Sequence, residues 1–150
     1  MARQVISDKS DVPEMKRRLR GLNGRKIKVG IVGDKPELAL IYAVNEFGTT
    51  QAGRNRNITI PERSTLRATA DSRKDVRASL DGASEVIDLS IPVLKPLDRI
   101  GLRLAEAVRA KIRSNVPPPN ALSTIAGKNS ARTLIGKTAR LVAEIKHEVV

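Results

Sequence analysis

A chain of 150 residues with 40% hydrophobic content can enclose one modest core, and none of its stretches approaches the roughly 18 apolar residues of a membrane span. Cysteine is absent, which excludes a disulfide framework, zinc–thiolate sites and thiol catalysis. The formal charge of +12 calls for an anionic partner or an acidic neighbouring surface.

The basic residues are spread along the chain rather than gathered in one block, so DNA phosphates and acidic protein neighbours both fit the charge. Tyr42 and Phe47 are the only aromatics. A core without aromatics must be built from Leu, Ile, Val and Ala, which favours a thin, helix-rich body. It also makes a poor stacking platform for single-stranded nucleic acid, where several aromatics normally hold the bases. Met1-Ala2-Arg3-Gln4 lacks the basic-then-apolar layout of a secretory signal, which fits synthesis in the cytoplasm.

Residues 1–10 read as frayed. Asp11, Pro13 and Glu14 form a helix start with Asp11 as cap. Met15, Leu19 and Leu22 follow at helical spacing, Lys16, Arg17, Arg18 and Arg20 cover much of the remaining surface, and Asn23-Gly24 ends the helix. Lys26 to Val32 alternates, with Ile27, Val29 and Ile31 on one face and Lys26 and Lys28 on the other, the pattern of a half-buried strand. After a turn at Gly33-Asp34-Lys35-Pro36, the spacing of Leu38, Ile41, Tyr42 and Asn45 predicts a helix closing at Phe47-Gly48. Thr49 to Asn57 is polar, contains Gly53 and carries Arg54 and Arg56, which predicts an exposed, mobile loop. Ile58-Thr59-Ile60 is a short strand stopped by Pro61.

From Glu62 one long helical pattern runs through Leu66, Thr69, Val76, Leu80, Ala83 and Ile87, weakened but not forbidden by Gly82 and broken by Pro92 and Pro96. The best helix follows: Leu97, Ile100, Leu104, Val108 and Ile112 step by three or four, with Arg99, Arg103, Glu106 and Arg113 facing away. Leu104 and Val108 are therefore expected in the core. Pro117-Pro118-Pro119-Asn120 is a stiff stop, Ser123 or Thr124 caps one short turn, and Gly127-Lys128-Asn129-Ser130 is loop. Residues from Leu141 to Val150 run into an alternating strand with Ile145, His147 and Val149 on one side. The order α-β-α-β-α-α-β, without repeat or linker, predicts a single small α+β domain: a short mixed or antiparallel sheet packed against long amphipathic helices.

Catalytic and cofactor chemistry finds no support. His147 is the lone histidine, with no cysteine or second histidine to work with, and reads as a strand side chain at a boundary. Gly30-Ile31-Val32-Gly33-Asp34-Lys35 lacks the longer cradle of a phosphate loop and its Lys-Ser/Thr helix start, so it reads as a turn. Glu37, Glu46 and Glu62 sit at separate element ends, where helix-terminus charge and solubility account for them. No metal set, cofactor or nucleophile–base pair is predicted, so a small hydrolase has nothing to work with. The basic face of Lys16, Arg17, Arg18 and Arg20 is either solvated or phosphate-binding. Arg54 and Arg56 either contact an outside partner or stay freely solvated.

Three segments, in order and at related spacing from about Lys26 to Val150, resemble the tailed-bacteriophage tail-component or virion-morphogenesis family. Lys28-Val29-Gly30-Ile31-Val32-Gly33 followed by Ala43-Val44-Asn45-Glu46-Phe47-Gly48-Thr49 is similar to that family's Val-Gly-Ile/Val strand and Asn/His-Glu-Phe-Gly helix end. Ile60-Pro61-Glu62-Arg63 with Leu66-Arg67 resembles its Ile-Pro-x-Arg-Pro-Phe-Leu-Arg signature. Pro118-Pro119-Asn120, Ser123-Thr124-Ile125, Lys128 and Leu134-Ile135 resemble its Pro-Pro-Asn…Thr-Ile…Lys-Gly…Leu-Ile-Asp-Thr-Gly ending. Departures are Ser64 and Thr65 for Pro-Phe, Asn129 for Gly, and Gly136-Lys137-Thr138 for Asp-Thr-Gly. Physically, Glu46-Phe47-Gly48 can end a helix with Phe47 anchored in the core and Gly48 in left-handed geometry, and Pro61 presets entry to the long helix.

The resemblance implies a structural virion protein at the head–tail junction, a tail-completion, tail-terminator or neck subunit. It implies a ring, six-fold as such tails are, bound to neighbouring neck, head-completion and tail-tube proteins with DNA in the channel. It also implies that the loop from Thr49 to Asn57, between the Glu-Phe-Gly and Ile-Pro elements, projects. The competing expectation is a free basic DNA-binding protein of nucleoid or repressor type, although Pro92, Pro96 and the flanking strands do not suit a helix-turn-helix.

Overall fold

A computed structural model describes residues 11–136 and 138–150; the expectation for residues 1–10 falls outside them. Helix α1 (Val12–Leu22) starts after Asp11 with proline in its first turn, although the Asp11 side chain makes no capping bond. None of its residues is buried. Strand β1 (Ile27–Ile31) and helix α2 (Pro36–Phe47) follow as the alternation and spacing require.

The polar segment after α2 is not a loop. Strand β2 (Thr49–Ala52) pairs antiparallel with β3 (Ile58–Ile60), Thr49 opposite Ile60 and Ala52 opposite Ile58. Its alternation is of polar residues, so hydrophobic periodicity could not show it. What projects is a β-hairpin arm, closed by a turn in which the Arg56 N–H donates to the Gly53 carbonyl at 3.1 Å.

The expected long helix is also corrected. It divides into α3 (Leu66–Asp71), α4 (Arg73–Ser79) and a 3-10 turn (Ala83–Ile87). Ser72 is extended and its hydroxyl accepts from the Asp75 N–H at 3.3 Å, capping α4. A serine that can bond the backbone this way competes with helix continuation. Gly82, with φ of 81°, stops the path a second time.

Helix α5 (Leu94–Arg113) is the spine. Pro96 lies inside its first turn, not before it, where an N–H would have no helical acceptor in any case. Ile100, Ala105, Val108 and Ile112 are buried, whereas Leu104 is only half-buried, so the core-facing stripe is rotated slightly from the expected one. Gly101 lets β4 approach: a Cβ there would lie 2.5 Å from the His147 ring and 3.0 Å from Ile27. Helices α6 (Leu122–Lys128) and α7 (Arg140–Ala143) lead to strand β4 (Ile145–Val149).

The result is an α+β domain with two separate two-stranded antiparallel sheets. Strand β1 pairs with β4, Ile27 opposite Val149 and Ile31 opposite Ile145, and this ribbon lies on α5. The core gathers Ala105, Val108 and Ile112 of α5, Leu38 and Tyr42 of α2, and Val116, Leu134, Leu141, Val142 and Ile145. No helix among the described residues is long and apolar enough to cross a membrane.

Candidate interaction site

Glu46 is the centre of the best-built polar site. It is 4% exposed, at the end of α2, and faces the start of α3. Its carboxylate accepts from the backbone N–H of Thr65 at 2.7 Å, Leu66 at 3.1 Å and Arg67 at 2.9 Å, and from the Ser64 and Thr65 hydroxyls at 2.7 and 3.2 Å. The first N–H groups of a helix have no helical acceptor, and an anion there also meets the favourable end of the helix dipole. Glu46 thus caps α3 from another element. Burial pushes its carboxyl up, but the Arg67 and Thr65 N–H groups, the Ser64 hydroxyl and the Leu66 N–H outweigh it and hold the pKa below the ordinary value. The solubility role expected for Glu46 is replaced by this buried one, while the helix-terminus role is present in stronger form.

The departures Ser64 and Thr65 acquire a meaning here. Both donate hydroxyl hydrogens to Glu46, and the Thr65 oxygen lies 2.6 Å from the Tyr42 hydroxyl. Burial pushes the Tyr42 phenol up to about 12. Thr65, fully buried, went unrecognised in the sequence; the one available signal was that a buried Tyr42 needs a hydroxyl partner.

Arg63 joins the second segment to the third. It is buried, its backbone N–H donates to the Asn45 carbonyl at 2.7 Å, and its guanidinium donates to the Pro118 and Pro119 carbonyls at 2.8 and 3.2 Å. Asn120 and Lys128 both donate to the Arg132 and Thr133 carbonyls, and the Asn115 side chain accepts from the Thr133 N–H and hydroxyl. Burial first, then the nearby Arg63 charge, lowers the Lys128 pKa. Asn129 takes the left-handed C-cap of α6 at φ 50°, the position where Asn substitutes for Gly. Thr124 is exposed and caps nothing; α6 starts after Ala121 without a side-chain cap. Gly48 is at φ 71°, and a Cβ there would lie 2.8 Å from the Glu62 nitrogen, so the end of α2 and the exit from the hairpin approach this closely only through glycine. Pro61 is half-buried between β3 and this cluster, and Leu66 packs on the core.

Phe47 is the clearest correction. It is 69% exposed rather than anchored in the core. Tyr42 and Leu38 already fill the inner face of α2, and Phe47 falls with Leu40 and Ile41, 65% and 54% exposed, on the outer one.

The basic candidates are not brought into one site. Lys16, Arg17 and Arg20 are exposed on α1, with Arg17 bonded to Glu14, while Arg18 turns inward to the Val86 carbonyl at 2.6 Å. Arg54 and Arg56 stand exposed on the hairpin turn, without an ion pair among the described residues. Lys35, in the turn after β1, pairs with Glu144. His147 bonds Asp98 at 2.8 Å. Between β1 and α2 lies an open cleft of about 460 Å³, bordered by the β1 backbone, Tyr42, Ala43 and Leu66. Among the described residues, no group of three or more His, Asp or Glu side chains could hold a metal. No family model, no curated protein and no solved structure matches the chain.

Proposed function

We propose that the chain is a structural subunit of a tailed-phage head–tail junction, assembling as a ring of copies around the DNA path. The supporting observation is that the three segments carrying the resemblance fold onto one another. Glu46 holds residues 64–67, Arg63 holds Pro118 and Pro119, and Asn120 and Lys128 hold the segment before Leu134. The cluster fixes a projecting hairpin beside a helix whose outer face is apolar, an arrangement suited to contact with neighbouring copies. The positive charge then serves the DNA path or acidic neighbours.

A virion reconstruction tests this reading. Repeated copies around the tail axis at the neck are expected; a single asymmetric copy, or absence from the particle, overturns it. The net charge of +12 favours one second reading, a free DNA-binding protein. Binding of the isolated chain to naked duplex DNA, falling steeply with salt, would favour that alternative.

A further inference from the structure

The β1–β4 ribbon has two edges of different character. Lys26 and Val150 exchange both backbone hydrogen bonds, at 2.7 and 2.9 Å. The antiparallel register therefore turns the N–H and C=O groups of Lys28 and Gly30 toward β4, and those of Ile27, Val29 and Ile31 away from it. On β4 one outward group is taken, the Ile145 carbonyl, which accepts from the Arg109 guanidinium. On β1 no hydrogen bond among the described residues takes the outward groups, and that strand borders the open cleft. An unguarded strand edge is a template for another strand.

The hairpin arm is a strand donor of fitting charge. Arg54 and Arg56 on its turn have no acidic partner, and Asp34 and Glu37, exposed just beyond the end of β1, have no basic one among the described residues. If the turn meets Asp34 and Glu37, β3 runs antiparallel to β1, with Ile58 near Ile31 and Ile60 near Val29. Exposed Ile58 then gains apolar cover.

We propose that β3 of the hairpin arm adds to the open edge of β1 in a second copy of this chain, with Arg54 and Arg56 seated against that copy's Asp34 and Glu37. Arm and edge are different surfaces, so the contact is head-to-tail and propagates around a ring. The inference deepens the ring reading and names its contact; whether the ring sits in a virion is decided separately by the reconstruction.

The absence of cysteine makes the test clean. Purified full-length Lys28→Cys is mixed at high concentration with Thr59→Cys, its diagonal neighbour on the same face in this register, and treated with a short bis-thiol reagent. A covalent heterodimer is expected from the mixture. In parallel, Arg54→Glu with Arg56→Glu should weaken self-association on the order of tenfold or more through like-charge contact, and adding Asp34→Lys with Glu37→Lys should restore it. Amide exchange at Ile27, Val29 and Ile31 should slow on association, while Lys28 and Gly30 are protected throughout. Self-association that persists without the cross-link and ignores both charge reversals overturns the strand contact and leaves the ring reading standing. A chain that does not self-associate also overturns the contact.

Discussion

Helices α2 and α5 both press side chains into the core, but only α5 keeps a largely polar back. Outside its buried row of Ile100, Ala105, Val108 and Ile112 it shows Arg99, Arg103, Glu106 and Arg113, with Leu94 and Leu102 the large apolar exceptions. Helix α2 buries Leu38 and Tyr42 and then presents Leu40, Ile41 and Phe47 on the other side. A helix apolar all round belongs in an interior. Within one chain α5 is complete and α2 is half-covered, so the difference separates what folds the domain from what is left for a neighbour.

The largest expected effect lies on α5. Ile112→Ala, at a fully buried site, should lower the unfolding free energy by about 2–5 kcal/mol in denaturant titration. A loss near zero would mean that α5 is not the spine. Next comes the inner end of α2. Glu46→Ala strands the N–H groups of Thr65, Leu66 and Arg67 and should cost about 2–3 kcal/mol.

Acid sharpens the same point. The Glu46 pKa is depressed on folding, so its contribution is fully present above the ordinary value of 4.5 and is lost as pH falls through the lower folded value. Below about pH 5 the wild-type denaturation midpoint should fall more steeply than that of Glu46→Gln. Parallel curves would remove Glu46 from the acid response. The smallest effect on folding is expected outside: Leu40→Ser and Phe47→Ser should each change stability by no more than about 0.5 kcal/mol while weakening self-association. Loss of stability without loss of association would reverse the roles assigned to the two faces.

Strands β1 and β4 and helix α5 were legible because one face of each is apolar, and burial imposes periods of two and 3.6. The second strand of the hairpin, Ile58–Ile60, was legible too, but the first was not, because Thr49 to Ala52 is held by backbone bonds and by Gly48, with little burial to pattern its side chains. The break at Ser72 depends on a competition between a capping hydroxyl and the helix, which spacing alone does not decide. Glu46 looked like a surface charge because its partners lie about twenty residues downstream and are mostly backbone N–H groups. Phe47 misled for a simpler reason: a lone phenylalanine suggests a core anchor, yet the inner positions of α2 were already occupied by Leu38 and Tyr42.

Hydroxyl-radical labelling compares the two sides of α2 within one molecule. Phe47 faces outward at 69% exposure and Tyr42 inward at 5%. In the free chain Phe47 should label strongly and Tyr42 weakly. If α2 is completed by a neighbour, Phe47 labelling falls to the Tyr42 level when the chain assembles, whereas Phe47 labelling that is unchanged on assembly would contradict the account.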